Sequence, residues 1–145
     1  MSANKLKGLI LAAGHGTRLR PITSLRPKPT ITVANKQLVH YAVDNLVEAG
    51  VDEIGIVVSN ETRNYLEESL SDYSRARFEY ITQDPPLGLA HAVQVSQDFL
   101  GDSPFVMYLG DNLFEQGVTE FVSAFKPEEG VNAVLALVRV EDPRQ

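Results

Sequence analysis

The chain has 145 residues, 43% of them hydrophobic, a length that suits one compact domain with a substantial core. It contains no Cys, which excludes a disulfide framework, a Cys-ligated zinc, an iron–sulfur cluster and thiol catalysis. A net charge of −6 argues against a general nucleic-acid binder, and no apolar run approaches the ~18 residues of a membrane helix.

Strands and helices alternate along the chain. Residues 6–12 (LKGLILA) form an apolar run of buried-strand length. Leu38, Ala42, Leu46 and Ala49 recur at helical spacing, predicting a helix over 38–49. Residues 53–58 (EIGIVV) read as a second strand, and Asn60 is placed to cap a helix over about 61–71. Residues 77–82 (RFEYIT) alternate as a third strand. Leu89, Ala92, Val93, Ser96 and Leu100 share one face of a helix over 89–100. Residues 104–109 (PFVMYL) predict a fourth strand, Val118, Phe121, Val122 and Phe125 an amphipathic helix, and residues 131–140 (VNAVLALVRV) a fifth strand. This alternation predicts an α/β fold with a parallel sheet and helices on both faces. The chain then stops on polar EDPRQ directly after a strand, so the fold is expected to be truncated. The opening MSANKLKG is too short and polar to read as a signal peptide, and the expected location is cytoplasmic.

Charge is unevenly placed. Residues 1–43 hold Lys5, Lys7, Arg18, Arg20, Arg26, Lys28 and Lys36 with no Asp or Glu, whereas all 19 acidic residues follow. A cationic stretch in an acidic chain points to a local anion site; the plainer alternative is one solvated face. About 25 residues between the first strand and the helix at 38 carry little periodic signal. A long loop in a compact domain is usually functional or disordered, and in parallel sheets ligands sit beyond the carboxyl ends of strands.

Four segments fall at such ends: Gly14-His15-Gly16, Ser59-Asn60, Gln83-Asp84 and Gly110-Asp111-Asn112. Four motifs carry chemistry. In GLILAAGHGTRLRP (8–21), Gly14 and Gly16 let the backbone approach a phosphate, Thr17 adds a hydroxyl donor and Arg18 can grip phosphate oxygens bidentately. The segment is not a Walker A loop, because five residues separate Gly8 from Gly14 and His15 follows. Nor is it a dinucleotide fingerprint, because Leu19 occupies the third glycine position. In RPKPT (26–30), Pro27 and Pro29 stiffen the backbone around Lys28 and fix its ammonium; alone, the segment would read as a Pro-rich turn. In QDPPLGLAHA (83–92), Gln83 offers a donor and an acceptor to a pyrimidine edge, and Gly88 lets a planar ring lie against the backbone; a glycine-capped Pro-Pro turn is the alternative. In YLGDN (108–112), Asp111 at a strand end suits Mg²⁺, which takes one or two carboxylates plus substrate phosphates; a plain turn aspartate is the alternative. His15, His40 and His91 lack metal-ligand spacing, and the latter two read as structural. No Ser/His/Asp set stands out.

Together these segments resemble the sugar-1-phosphate nucleotidyltransferases, from residue 6 to the end of the chain. LAAGHGTRLRP is similar to the family's signature loop, RPKP to its lysine segment, and PLGLAHA and LGDN to its base and metal segments, in the same order. The nearest likeness is to the N-terminal half of the long-chain thymidylyltransferases acting on glucose 1-phosphate. The resemblance implies a Rossmann-like three-layer sandwich. It also implies that dTTP and glucose 1-phosphate give dTDP-glucose and pyrophosphate. Arg18 and Lys28 would be catalytic; Leu11, Gly14, Gly16, Thr17, Gln83 and Gly88 would bind nucleotide; Asp111 would hold Mg²⁺. Residues 1–145 would then be the nucleotide-binding part, without the sugar-binding half, and inactive alone. UTP remains an alternative nucleotide, and a non-catalytic nucleotide-binding module an alternative function. Neither nucleic acid nor membrane is an expected partner, and a homo-oligomer is left open. Gln37 stands where many members carry Pro, with no expected chemical consequence.

Overall fold

The computed structural model describes residues 5–14, 27–137 and 139. Four parallel strands form the main sheet: β1 (Lys7–Leu11), β4 (Glu53–Val58), β5 (Arg77–Thr82) and β6 (Phe105–Leu109), in the order β5-β4-β1-β6. Registers run Gly8 to Ile54 and Val106, and Ile54 to Phe78. From β1 the chain steps outward to β4 and β5, then crosses back to lay β6 on the other side of β1. That reversal makes the crevice between β1 and β6 a topological switch point, where parallel sheets accept ligands.

Successive residues of the central strands point to opposite faces, so each run feeds two cores. On one face, Ile10, Ile54 and Ile56 pack with α1 (Leu38–Glu48), α2 (Arg63–Leu70) and Val118 before α5 (Thr119–Ser123). On the other, Leu9 and Val57 pack with Ala92 of α3 (Leu89–Val95) and Leu100 of α4 (Gln97–Leu100). The result is the three-layer α/β sandwich expected from the alternation. Among the described residues, no helix is long and apolar enough to cross a membrane.

Several details differ from the sequence expectation. The helix predicted over 89–100 is two helices. Ser96, fully buried, donates its hydroxyl to the Ala92 carbonyl at 2.7 Å, a back-bond that competes with the helical ladder. Asn60 does not cap α2. Ser59 and Thr62 bond reciprocally instead, Ser59 N to Thr62 Oγ1 at 2.9 Å and Thr62 N to Ser59 Oγ at 3.1 Å, and the helix starts at Arg63. Residues 131–137 of the predicted fifth strand form no ladder, and Leu135 and Leu137 are 78% and 86% exposed. An apolar run becomes a strand only by pairing, and periodicity supplies no partner. The long loop holds a small hairpin, β2 (Thr32–Val33) with β3 (Lys36–Gln37), turned at Ala34 and Asn35 with φ of 47° and 65°. Two positive φ values in succession are the backbone pattern of a tight hairpin turn.

Candidate active site

The carboxyl ends of the strands continue for one residue beyond the sheet. Ala12 N donates to Val57 O at 2.8 Å, Gly110 N to Leu11 O at 3.0 Å and Gln83 N to Val58 O at 2.8 Å. These extra rungs hold the segments after β1, β5 and β6 along one rim. Gly110 is required there: a Cβ would lie 2.9 Å from the Leu11 carbonyl oxygen, so only glycine lets the chain pass before Asp111.

Above this rim lies an open cleft of about 470 Å³, the size of a small-molecule site. Leu11, Gly14, Lys28, Gln83, Gly88 and Asp111 all line it. The structure therefore brings together six of the predicted site residues, drawn from segments up to 100 positions apart. Gly16, Thr17 and Arg18 lie outside the described residues. Pro29, Pro86 and Leu89 add apolar wall, a role the sequence reading gave to none of them. Leu89 was expected on the core-facing stripe of its helix; it is 52% exposed and faces the cleft instead.

One side of the cleft is charged. Lys28 opens a 3-10 turn over Lys28–Thr30. Thr30 N and Oγ1 both donate to the Pro27 carbonyl, at 3.0 and 2.9 Å. Buried Pro29 and Thr30 anchor the turn that carries the lysine. The Lys28 ammonium meets Asp111 Oδ2 at 2.5 Å, and the two side chains are 28% and 41% exposed. Behind Asp111, the Tyr108 hydroxyl accepts from Asn45 Nδ2 at 3.0 Å and donates to the Asn112 carbonyl at 3.3 Å. Tyr108 is buried, and that burial pushes its phenol up, partly opposed by the Asn45 bond. It ties the turn carrying Asp111 to α1.

The other side is neutral and centred on a buried amide. Gln83 is 4% exposed. Its Nε2 donates to the Gly88 carbonyl at 3.0 Å and lies 3.1 Å from His91 Nδ1. Gly88 caps α3 with φ of 98°, a conformation that favours glycine, and its carbonyl also accepts from Ala92 N at 3.1 Å. Gln83 thus pins the helix start to the end of β5. Sequence reading offered both ends of this amide to a ligand; the fold engages the nitrogen internally. Nor did it foresee His91 as a partner of Gln83, since a lone histidine carries no spacing signal. His40 is structural as expected, its Nε2 lying 3.0 Å from the Ser69 carbonyl.

The donor set fits a single-carboxylate Mg²⁺ site. Among the described residues no group of three His, Cys, Asp or Glu could hold a metal by itself, and Asp111 is the carboxylate lining the cleft. Mg²⁺ that is shared with substrate phosphates needs no more than one or two such ligands.

Residues 7–145 match the nucleotidyl transferase family. The chain is 46% identical over 142 residues to the low-salt glycan biosynthesis nucleotidyltransferase Agl11 of Haloferax volcanii, covering 97% of this chain and 40% of that protein. It is 44% identical over 145 residues to a glucose-1-phosphate thymidylyltransferase of Streptomyces griseus, covering 96% of this chain and 39% of the relative. Among solved structures, a putative glucose-1-phosphate thymidylyltransferase from Bacillus anthracis superposes with a TM-score of 0.79 at 32% identity, over 83% of this chain and 50% of that one. A UDP-glucose pyrophosphorylase complexed with UDP-glucose gives a TM-score of 0.73 at 27% identity, over 86% of this chain and 55% of that one. The chain spans about two fifths of the length of these curated relatives. With the rim, the cleft and the match over nearly its whole length, the chain belongs to the nucleotidyl transferase family that includes the sugar-1-phosphate nucleotidyltransferases.

Proposed function

We propose that this chain is the nucleotide-binding part of an enzyme that joins a nucleoside triphosphate, dTTP by preference and UTP next, to a sugar 1-phosphate such as glucose 1-phosphate, releasing pyrophosphate. The observation that carries the reading is the convergence of Leu11, Gly14, Lys28, Gln83, Gly88 and Asp111 on one cleft at the switch point of the sheet. The base lies toward Gln83 and Gly88, with Leu11 beside the nucleoside and the phosphates toward Gly14 and Lys28. Gly16, Thr17 and Arg18, which follow Gly14 and His15 in sequence, would extend the phosphate grip, with Arg18 on the departing pyrophosphate.

The chemistry asks little of the side chains beyond position and charge. A sugar phosphate is already an anionic nucleophile near neutral pH, so no general base is needed. It attacks the α-phosphorus in line with the leaving pyrophosphate, and the protein holds the two anions together and offsets their repulsion. Lys28, fixed on its proline-flanked turn, offers its ammonium to phosphate oxygens, and exchanges Asp111 for them as partner. Asp111 is then free to hold Mg²⁺. When bound, that ion supplies Lewis-acid neutralisation of phosphate charge.

The test is calorimetric titration of the 145-residue chain with dTTP and Mg²⁺. Lys28→Ala is expected to weaken binding about tenfold or more, the loss of a charge-assisted contact. Lys5→Ala is the charge-matched control. Lys5 pairs with Asp52 at the amino end of β1, away from the cleft, and its loss is expected to leave affinity unchanged. Equal weakening by both variants would contradict the proposal.

A further inference from the structure

We infer that His91 is a positioning residue that fixes which end of the Gln83 carboxamide meets the base, and thereby selects a pyrimidine with an imide N–H, thymine or uracil, over cytosine. The inference rests on the reading of this cleft as a nucleotide site.

Gln83 Nε2 lies 3.0 Å from the Gly88 carbonyl oxygen, which can only accept, so this end of the amide is the nitrogen. Its second hydrogen is directed at His91 Nδ1, 3.1 Å away. For that nitrogen to accept, it must carry its lone pair, so the imidazole proton sits on Nε2. Both amide hydrogens are then used within the protein, and among the described residues Oε1 is the polar atom of Gln83 left for a ligand in the cleft it lines.

Two acceptors define the plane of the carboxamide where one would leave a pivot. The Gly88 carbonyl is shared with Ala92 N, which makes it the weaker anchor by itself. His91 supplies the second point, from α3, one turn beyond Gly88. An acceptor-only Gln83 pairs with the N3–H of thymine or uracil. Cytosine presents a lone pair at N3, so the two acceptors repel unless the base shifts out of register. The selecting atom belongs to Gln83; its direction belongs to His91.

The experiment measures dTTP and dCTP affinity for the unsubstituted chain, His91→Leu and His91→Asn, with thermal unfolding of each recorded in parallel. The unsubstituted chain is expected to favour dTTP by about tenfold or more, the penalty for an unmatched buried acceptor. His91→Leu is expected to lose most of that preference. His91→Asn is expected to retain it, since its Oδ1 can accept where Nδ1 does. A preference unchanged in His91→Leu, or already absent in the unsubstituted chain that binds dTTP, overturns the inference and leaves the cleft reading standing. A chain that binds neither nucleotide overturns the cleft reading and the inference with it. Nitrogen chemical shifts of the His91 ring provide a ligand-free check that does not depend on the variants folding. Protonation at Nε2 with a bare Nδ1 is expected, and an Nδ1–H form contradicts the inference.

Discussion

The two sides of the cleft are built in different ways. The side carrying Gln83, Gly88 and His91 is neutral and internally bonded, and its central residue is 4% exposed. The side carrying Lys28 and Asp111 is charged, and its two groups are paired with each other while remaining 28% and 41% exposed. A buried amide that loses its partners leaves desolvated polar groups behind, so the neutral side contributes to folding, whatever it binds. A partly exposed ion pair is worth little to stability, and its members can change partners at small cost. One side is fixed in advance and suited to reading shape. The other is exchangeable, which under the proposed function suits charge that arrives with substrate and leaves with product.

Five substitutions break or sharpen this contrast. The largest stability effect is expected at the rim both sides share. Gly110→Ala forces a Cβ to 2.9 Å from the Leu11 carbonyl oxygen, and should destabilise the chain by about 1–3 kcal/mol in chemical denaturation. An unchanged unfolding midpoint would mean that the rung from Gly110 to Leu11 does not fix the rim. Next, Gln83→Ala should cost about 2 kcal/mol of stability together with dTTP affinity, because it empties a buried position bonded to the helix start. Lys28→Ala should lower affinity while changing stability by less than about 1 kcal/mol, as expected for an exposed pair. Paired stability and affinity data on these two variants separate the sides. If both variants lose stability alike, the contrast fails.

Tyr108→Phe probes whether the charged side has a fixed backing. It leaves Asn45 Nδ2 without its acceptor and frees the Asn112 carbonyl, and should cost about 1–2 kcal/mol while weakening Mg²⁺-dependent binding more than Mg²⁺-independent binding. The last substitution lies outside the cleft. Asp44 is partly buried, which raises its carboxyl, but bonds from Lys36 and Tyr73 outweigh this and hold it below the ordinary value of 3.8. A lowered folded value means stability that is fully present above the unfolded value and lost as pH falls through the folded one. Asp44→Asn should therefore remove about 1 kcal/mol near neutral pH and flatten the acid limb of the stability profile. A variant with the same acid limb as the parent would show that this anchor of the hairpin to α1 carries no stability.

The contrast also tracks what was legible in the sequence. β4 and β5 were readable to the residue, because a strand in a parallel sheet is a short run bounded by turn signals. The charged side was readable in its parts. Pro-Lys-Pro and a strand-end aspartate each carry a local signal, and both reach the cleft. Their pairing was not readable, since Lys28 and Asp111 stand 83 positions apart and only the β1–β6 crossover brings them together. On the neutral side, Gln83 and Gly88 were legible from the family resemblance, and His91 was not. The break at Ser96 was hidden because a serine on a helical stripe looks the same in sequence whether or not its hydroxyl back-bonds. Over its described residues 131–137 the expected fifth strand did not form, for the complementary reason: VNAVLAL has the composition of a strand, but composition names no neighbour.

The most direct measurement is amide chemical-shift mapping of the chain titrated first with inorganic tripolyphosphate and then with dTTP, both with Mg²⁺. The account predicts that tripolyphosphate moves Gly14, Lys28 and Asp111 and leaves Gln83, Gly88 and His91 in place, whereas dTTP moves both groups. The amino end of the sheet, at Glu53 and Arg77, should be unaffected by either. If tripolyphosphate perturbed both sides alike, or dTTP left Gln83 and Gly88 unmoved, the division of the cleft into a base side and a phosphate side would be contradicted.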